Sequence, residues 1–246
     1  VMGSYGGWER ADWFTNNESL KKPANSYDRQ HWFDDVSKEC NHVAEHCGVI
    51  DLTGFSRFEI SGEGTSQWLE TLITGRLPKM GKVGLVYFSS HKGKVLTEMT
   101  ATRISEDHIW LLTGAGAYWH DRDWLNFNLP ESSNIKIVDT THDLGTMLLT
   151  GPKSDLLIAK LTDERTDNES FPWLSHKSIK LCGEDTRVLK VSYAGEKGFE
   201  IHVHNGSMKK IYDELVQHGE SFNLIHFGML ALDSMRLEKK LSLMEE

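Results

Sequence analysis

Cysteine is scarce in this chain, which has 246 residues and only three cysteines. Secreted scaffolds held by disulfides usually carry a denser and even set, so Cys40, Cys47 and Cys182 indicate a reducing compartment. Long apolar runs are also missing, because no stretch approaches the roughly 18 residues that a transmembrane helix needs. No targeting peptide is visible at Val1, and we expect Val1 not to be the natural first residue.

Positive charge is in deficit, and the formal net charge at pH 7 is -9. This surplus of carboxylates argues against nucleic acid or an anionic membrane as the main partner. Small basic clusters at Lys21-Lys22 and Lys209-Lys210 fit solvated helix ends. The chain is long enough to bury a sizeable core, as one large domain or as two small ones.

Residues 1–30 are rich in glycine, asparagine, serine and lysine. We expect them to form an extended arm on the domain surface, with Trp8, Trp13 and Phe14 as apolar anchors. No linker clearly divides residues 30–241, and the sequence shows no internal repeat or low-complexity segment.

Hydrophobic periodicity predicts a mixture of short helices and strands beyond the arm. The spacing of apolar residues predicts a helix from Trp32 to Cys47 that stops at Gly48. A single strand is predicted from Val49 to Ser61. The later predicted elements are helix 65–74, strands 84–90, 95–103 and 108–114, helix 117–127, strands 134–138 and 145–150, helix 153–161, strands 177–181, 186–193 and 199–203, and helices 207–218 and 227–241.

A hairpin is predicted over residues 188–203. Two sets of side chains alternate from Val188 to Tyr193, as in a half-buried strand. The turn at residues 194–198 contains two glycines, which adopt positive φ at little cost. On spacing alone two interpretations are open: Tyr193 packs and Glu200 faces water, or both side chains line a site at the mouth of the hairpin.

Glu98 lies in the middle of a predicted strand, KGKVLTEMTATR. Leu96 and Thr100 would share its face, while Thr97 and Met99 would lie on the other. A carboxylate within an apolar strand is costly unless it is exposed or paired. Glu98 is therefore expected either at a solvent face or at a ligand.

Six segments of the chain form an ordered series of motifs: GGWERADWF (6–14), GVIDLTGFSRFEISG (48–62), KGKVLTEMTATR (92–103), LLTGP (148–152), SYAGEKGFEIHV (192–203) and ALDSMRLEK (231–239). Their order and spacing resemble those of the folate-binding aminomethyltransferase domain, which includes the T-protein of the glycine cleavage system. The resemblance is to the form at the C-terminal end of dimethylglycine and sarcosine dehydrogenases. One such motif is weak evidence, whereas six in order are strong evidence for the family.

The resemblance implies an α+β fold of antiparallel sheets flanked by helices. Residues 1–30 would be a linker arm from a missing N-terminal flavin domain, and residues 31–246 would be the folate-binding domain. The family domain continues into a β-barrel after this point, so we expect a C-terminally truncated domain that lacks the barrel. Leu237, Leu241 and Met244 would then form an uncovered apolar stripe, which predicts an unstable or self-associating chain.

The function that the resemblance implies is one-carbon transfer to tetrahydrofolate. An iminium derived from an N-methyl amine would react with the folate nitrogen and yield 5,10-methylenetetrahydrofolate, while the protein contributes positioning and charge. A flavin oxidoreductase domain, in cis or in trans, would supply the iminium, and FAD would belong only to that missing domain. The implied location is the mitochondrial matrix in a eukaryote and the cytoplasm otherwise.

The resemblance also implies a set of site residues. Glu98, where the family usually has aspartate, would hold the reacting nitrogen and assist proton movement, which makes it the predicted catalytic residue. Glu200 would accept hydrogen bonds from the amide and amino groups of the pterin ring, and Tyr193 would lie against the folate. The full predicted folate-contacting set is Thr97, Glu98, Met99, Tyr193, Glu200, Ile201 and His202, with Ile201 and His202 lining the wall beside Glu200.

Two other patterns in the chain imitate known sites. Gly114 and Gly116 follow a predicted strand as in a dinucleotide fingerprint, but Trp119 stands where the third glycine should allow close packing. His42 and His46 share a helix face as zinc ligands can, but the cysteines nearby lie elsewhere around the helix. The sequence therefore predicts neither a nucleotide site nor a metal site.

The final predicted helix departs from the T-protein pattern. T-proteins carry a folate-contacting arginine near the position of Leu232, so that contact is not carried over, and Arg236 is expected to pair with Asp233. This departure keeps a second hypothesis open, a catalytically silent relative of the kind that regulates pyruvate dehydrogenase phosphatase. A third hypothesis is a folate-dependent demethylase or aminomethyltransferase acting on another donor.

Overall fold

The computed structural model describes residues 1–21 and 26–242. The helices are α1 (Phe33–Glu45), α2 (Thr65–Glu70), α3 (Tyr118–Phe127), α4 (Ser154–Ile158), α5 (Asn205–Gly219) and α6 (Met229–Glu238). The strands are β1 (Met2–Tyr5), β2 (Trp8–Ala11), β3 (Cys47–Asp51), β4 (Phe55–Ser61), β5 (Ile73–Thr74), β6 (Val83–Ser89), β7 (Val95–Ser105), β8 (His108–Gly114), β9 (Lys136–Asp139), β10 (Leu144–Thr150), β11 (His176–Leu181), β12 (Glu184–Leu189), β13 (Gly198–His204) and β14 (Leu224–His226). Two residues named above, Lys22 and Met244, lie outside the described residues. None of the described helices has the length and apolar character that crossing a membrane requires.

Sheet I has the strand order β11-β12-β13-β10-β3-β14. Its strands are antiparallel except that β14 runs parallel to β3. Helices α4 and α5 cover one face, and the core there combines Phe199 and Ile201 of β13 with Met147 of β10 and Leu215 of α5. Because side chains alternate along a strand, the neighbours of these residues point to the opposite face.

Sheet II has the strand order β5-β6-β7-β8-β4-β9, and each neighbouring pair is antiparallel. Helices α2 and α3 cover one of its faces, where Phe58, Met99 and Leu111 pack with Leu69 and Leu125 of those helices. Two antiparallel sheets flanked by helices confirm the predicted α+β class. The described strands form no closed barrel.

The N-terminal arm forms a short hairpin of β1 and β2 and then enters the core. Trp13 is only 3% exposed and packs in a cluster with α1 and α6. The backbone is fixed on both sides of this residue, because the Val1 amino group donates to the Trp13 carbonyl at 2.6 Å and the Phe14 amide donates to Glu39 Oε1 at 2.7 Å. Trp13 is thus an anchor as predicted, whereas Phe14 is exposed.

The single strand predicted from Val49 to Ser61 is wrong, because the chain changes sheets within it. Strand β3 ends at Asp51 in sheet I, and β4 begins at Phe55 in sheet II. Asp51 Oδ1 accepts a hydrogen bond from the Thr53 amide at 2.7 Å, which forms a turn at the crossover. Apolar periodicity continues across this turn, so the sequence pattern alone does not show the break.

The end of the first helix also differs from the prediction. Helix α1 ends at Glu45, and Cys47 and Gly48 belong to β3. Gly48 is not a helix stop but a close-packing position, since a Cβ there would lie 2.6 Å from side-chain atoms of Phe227 and Val43.

The remaining predicted elements are present with shifted ends. Strand β12 stops at Leu189, so residues 190–197 form a loop in place of the predicted tight turn. Helix α6 ends at Glu238, three residues before the predicted end at Leu241. Leu237 and Leu241 of the predicted apolar stripe are exposed in the structure.

We predict that Gly48→Ala destabilises the fold by about 1–3 kcal/mol, because the added methyl group overpacks a closed contact. Gly84→Ala is the matched control, since Gly84 is also in a strand and its Cβ would meet only Pro78 at 3.6 Å. Urea unfolding of the three proteins measures the difference. Equal unfolding midpoints for the two variants would contradict the packing argument.

Candidate functional site

The face of sheet II opposite its helices packs against the corresponding face of sheet I. Trp110 of β8 is completely buried there, and its ring meets the His202 ring of β13 edge to face, with centroids 4.7 Å apart. The Arg187 guanidinium of β12 lies 4.4 Å from the Trp110 ring centroid and pairs with Glu59 of β4 at 2.6 Å. We call the space between these two faces, centred on Trp110 and His202, the inter-sheet layer.

Register places the side chains of sheet II in rows across this layer. The rows on β6, β7 and β8 are Val83, Thr102 and Trp110, then Leu85, Thr100 and Leu112, then Tyr87 and Glu98. On β6, Val83 at the start of the strand is buried, with 4% exposure. Leu85 and Tyr87, farther along the strand, are 56% and 38% exposed. The inter-sheet layer therefore opens to solvent at the end that carries Glu98.

Glu98 is half-buried and lies directly opposite Tyr87. Its hydrogen bond with the phenol raises the pKa of Tyr87, because ionising the phenol would place two negative charges side by side. A carboxylate in an apolar strand is expected to be exposed or paired, and the Glu98 carboxylate is both partly exposed and hydrogen-bonded.

Glu200 faces the same layer from sheet I. Its register partner Leu189 packs in one buried cluster with Leu112 and Trp110 of sheet II. The Glu200 carboxylate is 16% exposed, and its Oε2 lies 3.3 Å from Nε2 of His202. The structure therefore brings three predicted site residues to one layer, Glu98 from sheet II and Glu200 and His202 from sheet I.

Three of the predicted residues have side chains on the opposite faces. Thr97 and Met99 are buried on the helix-covered face of sheet II, and Ile201 is buried on the helix-covered face of sheet I. The prediction that Ile201 and His202 line one wall is wrong, because adjacent strand residues alternate between faces. Because these side chains are turned away from the layer, Thr97, Met99 and Ile201 could contact a ligand there only through their backbone, and such contacts stay a prediction.

Tyr193 lies in the loop of residues 190–197 and not in the strand. It packs against the cluster that contains Leu148, the residue beside Glu200 on sheet I. The Arg236 guanidinium lies 5.6 Å from the Tyr193 ring centroid and also donates to Asp233 at 3.0 Å, which confirms the predicted pair in α6.

A buried arginine at the layer was not predicted. Arg57 of β4 is completely buried and donates from its terminal nitrogens to the carbonyls of Thr53, Phe55 and Thr141, at 3.2, 2.7 and 3.3 Å. Burial lowers the pKa of Arg57 to about 10, although nearby carboxylates oppose the shift. The alternation of FSRFEIS places Arg57 and Glu59 on the face opposite to Phe58 and Ile60, but it does not show that Arg57 is buried.

His202 was predicted to line a folate wall beside Glu200, and the structure places its buried ring in the inter-sheet layer against Trp110. Burial lowers the pKa of His202, Glu200 opposes that shift, and the cations of Arg57 and Arg187 add to it. The imidazole is therefore neutral at pH 7.

Asp121 of α3 is a buried carboxylate behind sheet II. It accepts hydrogen bonds from Thr97 Oγ1 at 3.2 Å and from Thr113 Oγ1 at 2.7 Å, and His120 Nδ1 lies 2.9 Å from its other oxygen. This network joins α3 to β7 and β8 on the face away from Glu98. Its position indicates a structural role in holding β7.

The two imitated motifs have ordinary structural explanations. Strand β8 is antiparallel to both neighbours, whereas a dinucleotide fingerprint requires a parallel βαβ unit. Cys47 lies on β3 with its pKa raised to about 11 by burial, which disfavours the thiolate that metals bind. The His42 ring contacts the Asn223 carbonyl at 2.6 Å.

A cavity of about 580 Å³ lies outside the inter-sheet layer, between the N-terminal hairpin and α5. Its lining includes Phe14, Met208 and the hydrogen-bonded pair of Tyr212 and His226, whose side chains are 2.9 Å apart. None of the seven predicted site residues lines this cavity.

A family model described as the GCVT N-terminal domain matches residues 1–246. The chain belongs to this family. That membership confirms the resemblance drawn from the six motifs, and the described fold is the one expected for an aminomethyltransferase domain.

Several known proteins are similar to this GCVT domain. Mitochondrial dimethylglycine dehydrogenase of Rattus norvegicus is 30% identical over 239 residues, which are 97% of this chain and 28% of that protein. The aminomethyltransferase of Chloroherpeton thalassium is 26% identical over 213 residues, 86% of this chain and 58% of that protein. The structure of glycine cleavage system aminomethyltransferase T from Bartonella henselae matches with a TM-score of 0.79 at 21% identity, over 99% of this chain and 60% of that one. This chain thus spans 28% to 60% of these proteins.

We predict that acid destabilises the GCVT domain through His202. Because burial lowers its pKa below the unfolded value of about 6.5, only the unfolded chain takes up this proton as the pH falls below that value. The free energy of unfolding should decrease by up to about 1.4 kcal/mol per pH unit for each such group. His176 and His226, whose pKa values burial also lowers, act in the same direction.

Urea unfolding between pH 7.5 and pH 5.5 measures this dependence. His202→Gln should have a shallower pH dependence than the parent chain. His91→Gln, in the exposed turn between β6 and β7, removes a histidine without removing a buried one. Parallel stability curves for His202→Gln and the parent would contradict the prediction.

Proposed function

We propose that this GCVT domain binds tetrahydrofolate in the inter-sheet layer and accepts a one-carbon unit from an iminium, giving 5,10-methylenetetrahydrofolate. The observation that carries this proposal is that Glu98 and Glu200, from different sheets, both face one layer. The layer is closed by Trp110 at one end and open beside Tyr87 at the other. Such a space suits a flat heterocycle with an extended tail that leads to solvent.

Glu200 would recognise the pterin ring. An ionised carboxylate accepts hydrogen bonds and donates none, so it is complementary to an adjacent amide N–H and amino group. Oε2 of Glu200 lies within reach of His202, and Oε1 has no hydrogen-bond partner in residues 1–21 and 26–242. Tyr193, beside Leu148, would supply an aromatic surface near the same ring.

Glu98 would assist the chemistry at the open end. The folate nitrogen attacks the iminium carbon and forms a carbon–nitrogen bond, and the amine then leaves as the second folate nitrogen closes the ring. Of the two protons that the folate nitrogens lose, one leaves with the amine and the other is released. A carboxylate near these nitrogens stabilises the cationic intermediates and receives a proton.

The backbone of β7 would contribute the contacts predicted for Thr97 and Met99. The pairing between β7 and β8 begins at Thr100 and Leu112 and continues to Ser105 and His108. The peptide groups of residues 97–99 on that side therefore lie beyond the ladder, next to Glu98. Backbone groups in this position can bind a ligand although the two side chains are buried in the core.

The iminium would come from a flavin oxidoreductase domain, in cis or in trans, that oxidises an N-methyl amine. The similarity to dimethylglycine dehydrogenase, of which this chain matches 28%, supports a donor of that type. FAD would be bound by that other domain. Relatives named as mitochondrial support a matrix location in a eukaryote, and bacterial relatives support the cytoplasm in a bacterium.

We predict that the chain binds tetrahydrofolate and that Glu200→Gln weakens binding about 10-fold or more, because an amide replaces a charge-assisted acceptor. Tryptophan fluorescence follows the titration, since Trp110 lies in the layer. Glu131→Gln, in an exposed loop, is the matched control and should bind like the parent. An unchanged dissociation constant for Glu200→Gln would refute the role of Glu200.

Glu98→Gln is expected to slow one-carbon transfer about 100-fold while tetrahydrofolate still binds. Formation of 5,10-methylenetetrahydrofolate is measured with a dimethylglycine-oxidising flavoprotein as the iminium source. Glu63→Gln, exposed in the turn before α2, controls for the loss of one carboxylate. Folate binding without transfer in the parent chain would favour the silent regulatory relative instead.

A further inference from the structure

A series of hydrogen bonds crosses the inter-sheet layer from Arg57 to Glu200. Nη2 of Arg57 donates to Oγ1 of Thr146, which lies 2.7 Å from Nδ1 of His202. Nε2 of His202 lies 3.3 Å from Oε2 of Glu200. Arg57, Thr146 and His202 are each at most 1% exposed, so strands β4, β10 and β13 are joined by a buried polar network.

The groups at the two ends of this network determine which atoms donate hydrogen bonds and which accept them. A guanidinium can only donate, so Oγ1 of Thr146 is an acceptor toward Arg57. An ionised carboxylate can only accept, so Nε2 of His202 must carry a hydrogen toward Glu200. Both constraints hold whichever way the middle of the network is arranged.

The middle link then has one arrangement that satisfies both Thr146 and His202. If the Thr146 hydroxyl donates to Nδ1 of His202, each hydrogen between Nη2 of Arg57 and Glu200 has an acceptor. If Nδ1 carried a hydrogen instead, the Thr146 hydroxyl would lose its acceptor inside a buried site, which is unfavourable. The imidazole is therefore held as the neutral tautomer with its hydrogen on Nε2.

We propose that Arg57 and Thr146 are positioning residues, which fix the His202 tautomer so that His202 orients the Glu200 carboxylate for the pterin edge. This inference rests on the proposed function for its folate part alone. In this arrangement His202 donates a hydrogen bond to Oε2 of Glu200, which limits rotation of the Glu200 carboxylate. The other oxygen, Oε1, is then left for the ligand. A carboxylate fixed before binding loses less entropy when the ligand arrives.

The groups that face His202 support this arrangement from every side. Arg57 of β4 and Arg187 of β12 are cations that oppose an imidazolium, and Trp110 of β8 excludes solvent from the ring. Among the described residues, the carboxylate that opposes them is that of Glu200. Burial and the two cations outweigh it, since the pKa of His202 is lowered.

The first test needs no ligand. Nitrogen NMR of the ¹⁵N-histidine-labelled chain at pH 7.5 should show His202 with a protonated Nε2 and an unprotonated, hydrogen-bonded Nδ1. Thr146→Val should shift the Nδ1 signal, and Thr146→Ser, which keeps the hydroxyl, should restore it. A protonated Nδ1 in the parent chain, or an Nδ1 signal indifferent to Thr146→Val, would overturn the inference.

Thr186→Val is the matched control for this change. Thr186 is buried on the helix-covered face of sheet I, beside Val203, and its hydroxyl donates to the Ile179 carbonyl at 2.7 Å. The substitution therefore removes a buried threonine hydroxyl outside the inter-sheet layer, and the His202 signals should stay in place. Should Thr146→Val fail to fold, the protonated nitrogen in the parent chain decides the tautomer by itself.

The second test measures tetrahydrofolate binding in the same variants. Thr146→Val should weaken binding about 10-fold, Thr146→Ser should bind like the parent, and Thr186→Val should be unaffected. Equal affinities for Thr146→Val and the parent would overturn the positioning role. A parent chain with the expected NMR signals but no folate binding would refute the proposed function and the folate part of this inference, while the tautomer would stand.

Discussion

The arrangement of the two sheets depends on one buried guanidinium. The chain passes from sheet I to sheet II after β3, where Arg57 binds the carbonyls of Thr53 and Phe55. It returns from sheet II to sheet I after β9, where the same side chain binds the carbonyl of Thr141. Removing this cation would remove a hydrogen-bond donor from backbone carbonyls at both crossovers, so the arginine holds the two crossovers together. With a pKa of about 10, Arg57 keeps its charge at pH 7 in spite of its burial.

Strand alternation then decides which side chains can meet a ligand. The motif around Glu98 and the motif around Glu200 each name a run of neighbours, but a strand sends every second side chain to the other face. Thr97, Met99 and Ile201 therefore build the helix-covered cores, and Glu98 and Glu200 build the layer. A motif match identifies the strand, whereas register identifies the residues that can act.

The family resemblance predicted the fold class, and local signals predicted the three strands between Val83 and Gly114, because alternation and a glycine turn are visible in short stretches of sequence. The crossover after Asp51 could not be predicted, since β3 and β4 are both apolar and nothing local states which sheet a strand joins. Arg57 was missed for a related reason. Its partners lie at both crossovers, and a buried arginine is recognisable only when those carbonyls are seen together.

The charges of the inter-sheet layer determine what the layer can bind. At the closed end Arg187 is neutralised by Glu59, and the terminal nitrogens of Arg57 donate to backbone carbonyls and to Thr146. Toward the open end, Glu98 and Glu200 have no arginine or lysine within ion-pair distance in the described part of the chain. Such a layer offers acceptors, so under the proposed function it would favour a ring edge rich in N–H donors over a phosphate. An anionic tail on the same ligand must therefore point outward, past Tyr87 and Leu85, where water solvates its charge.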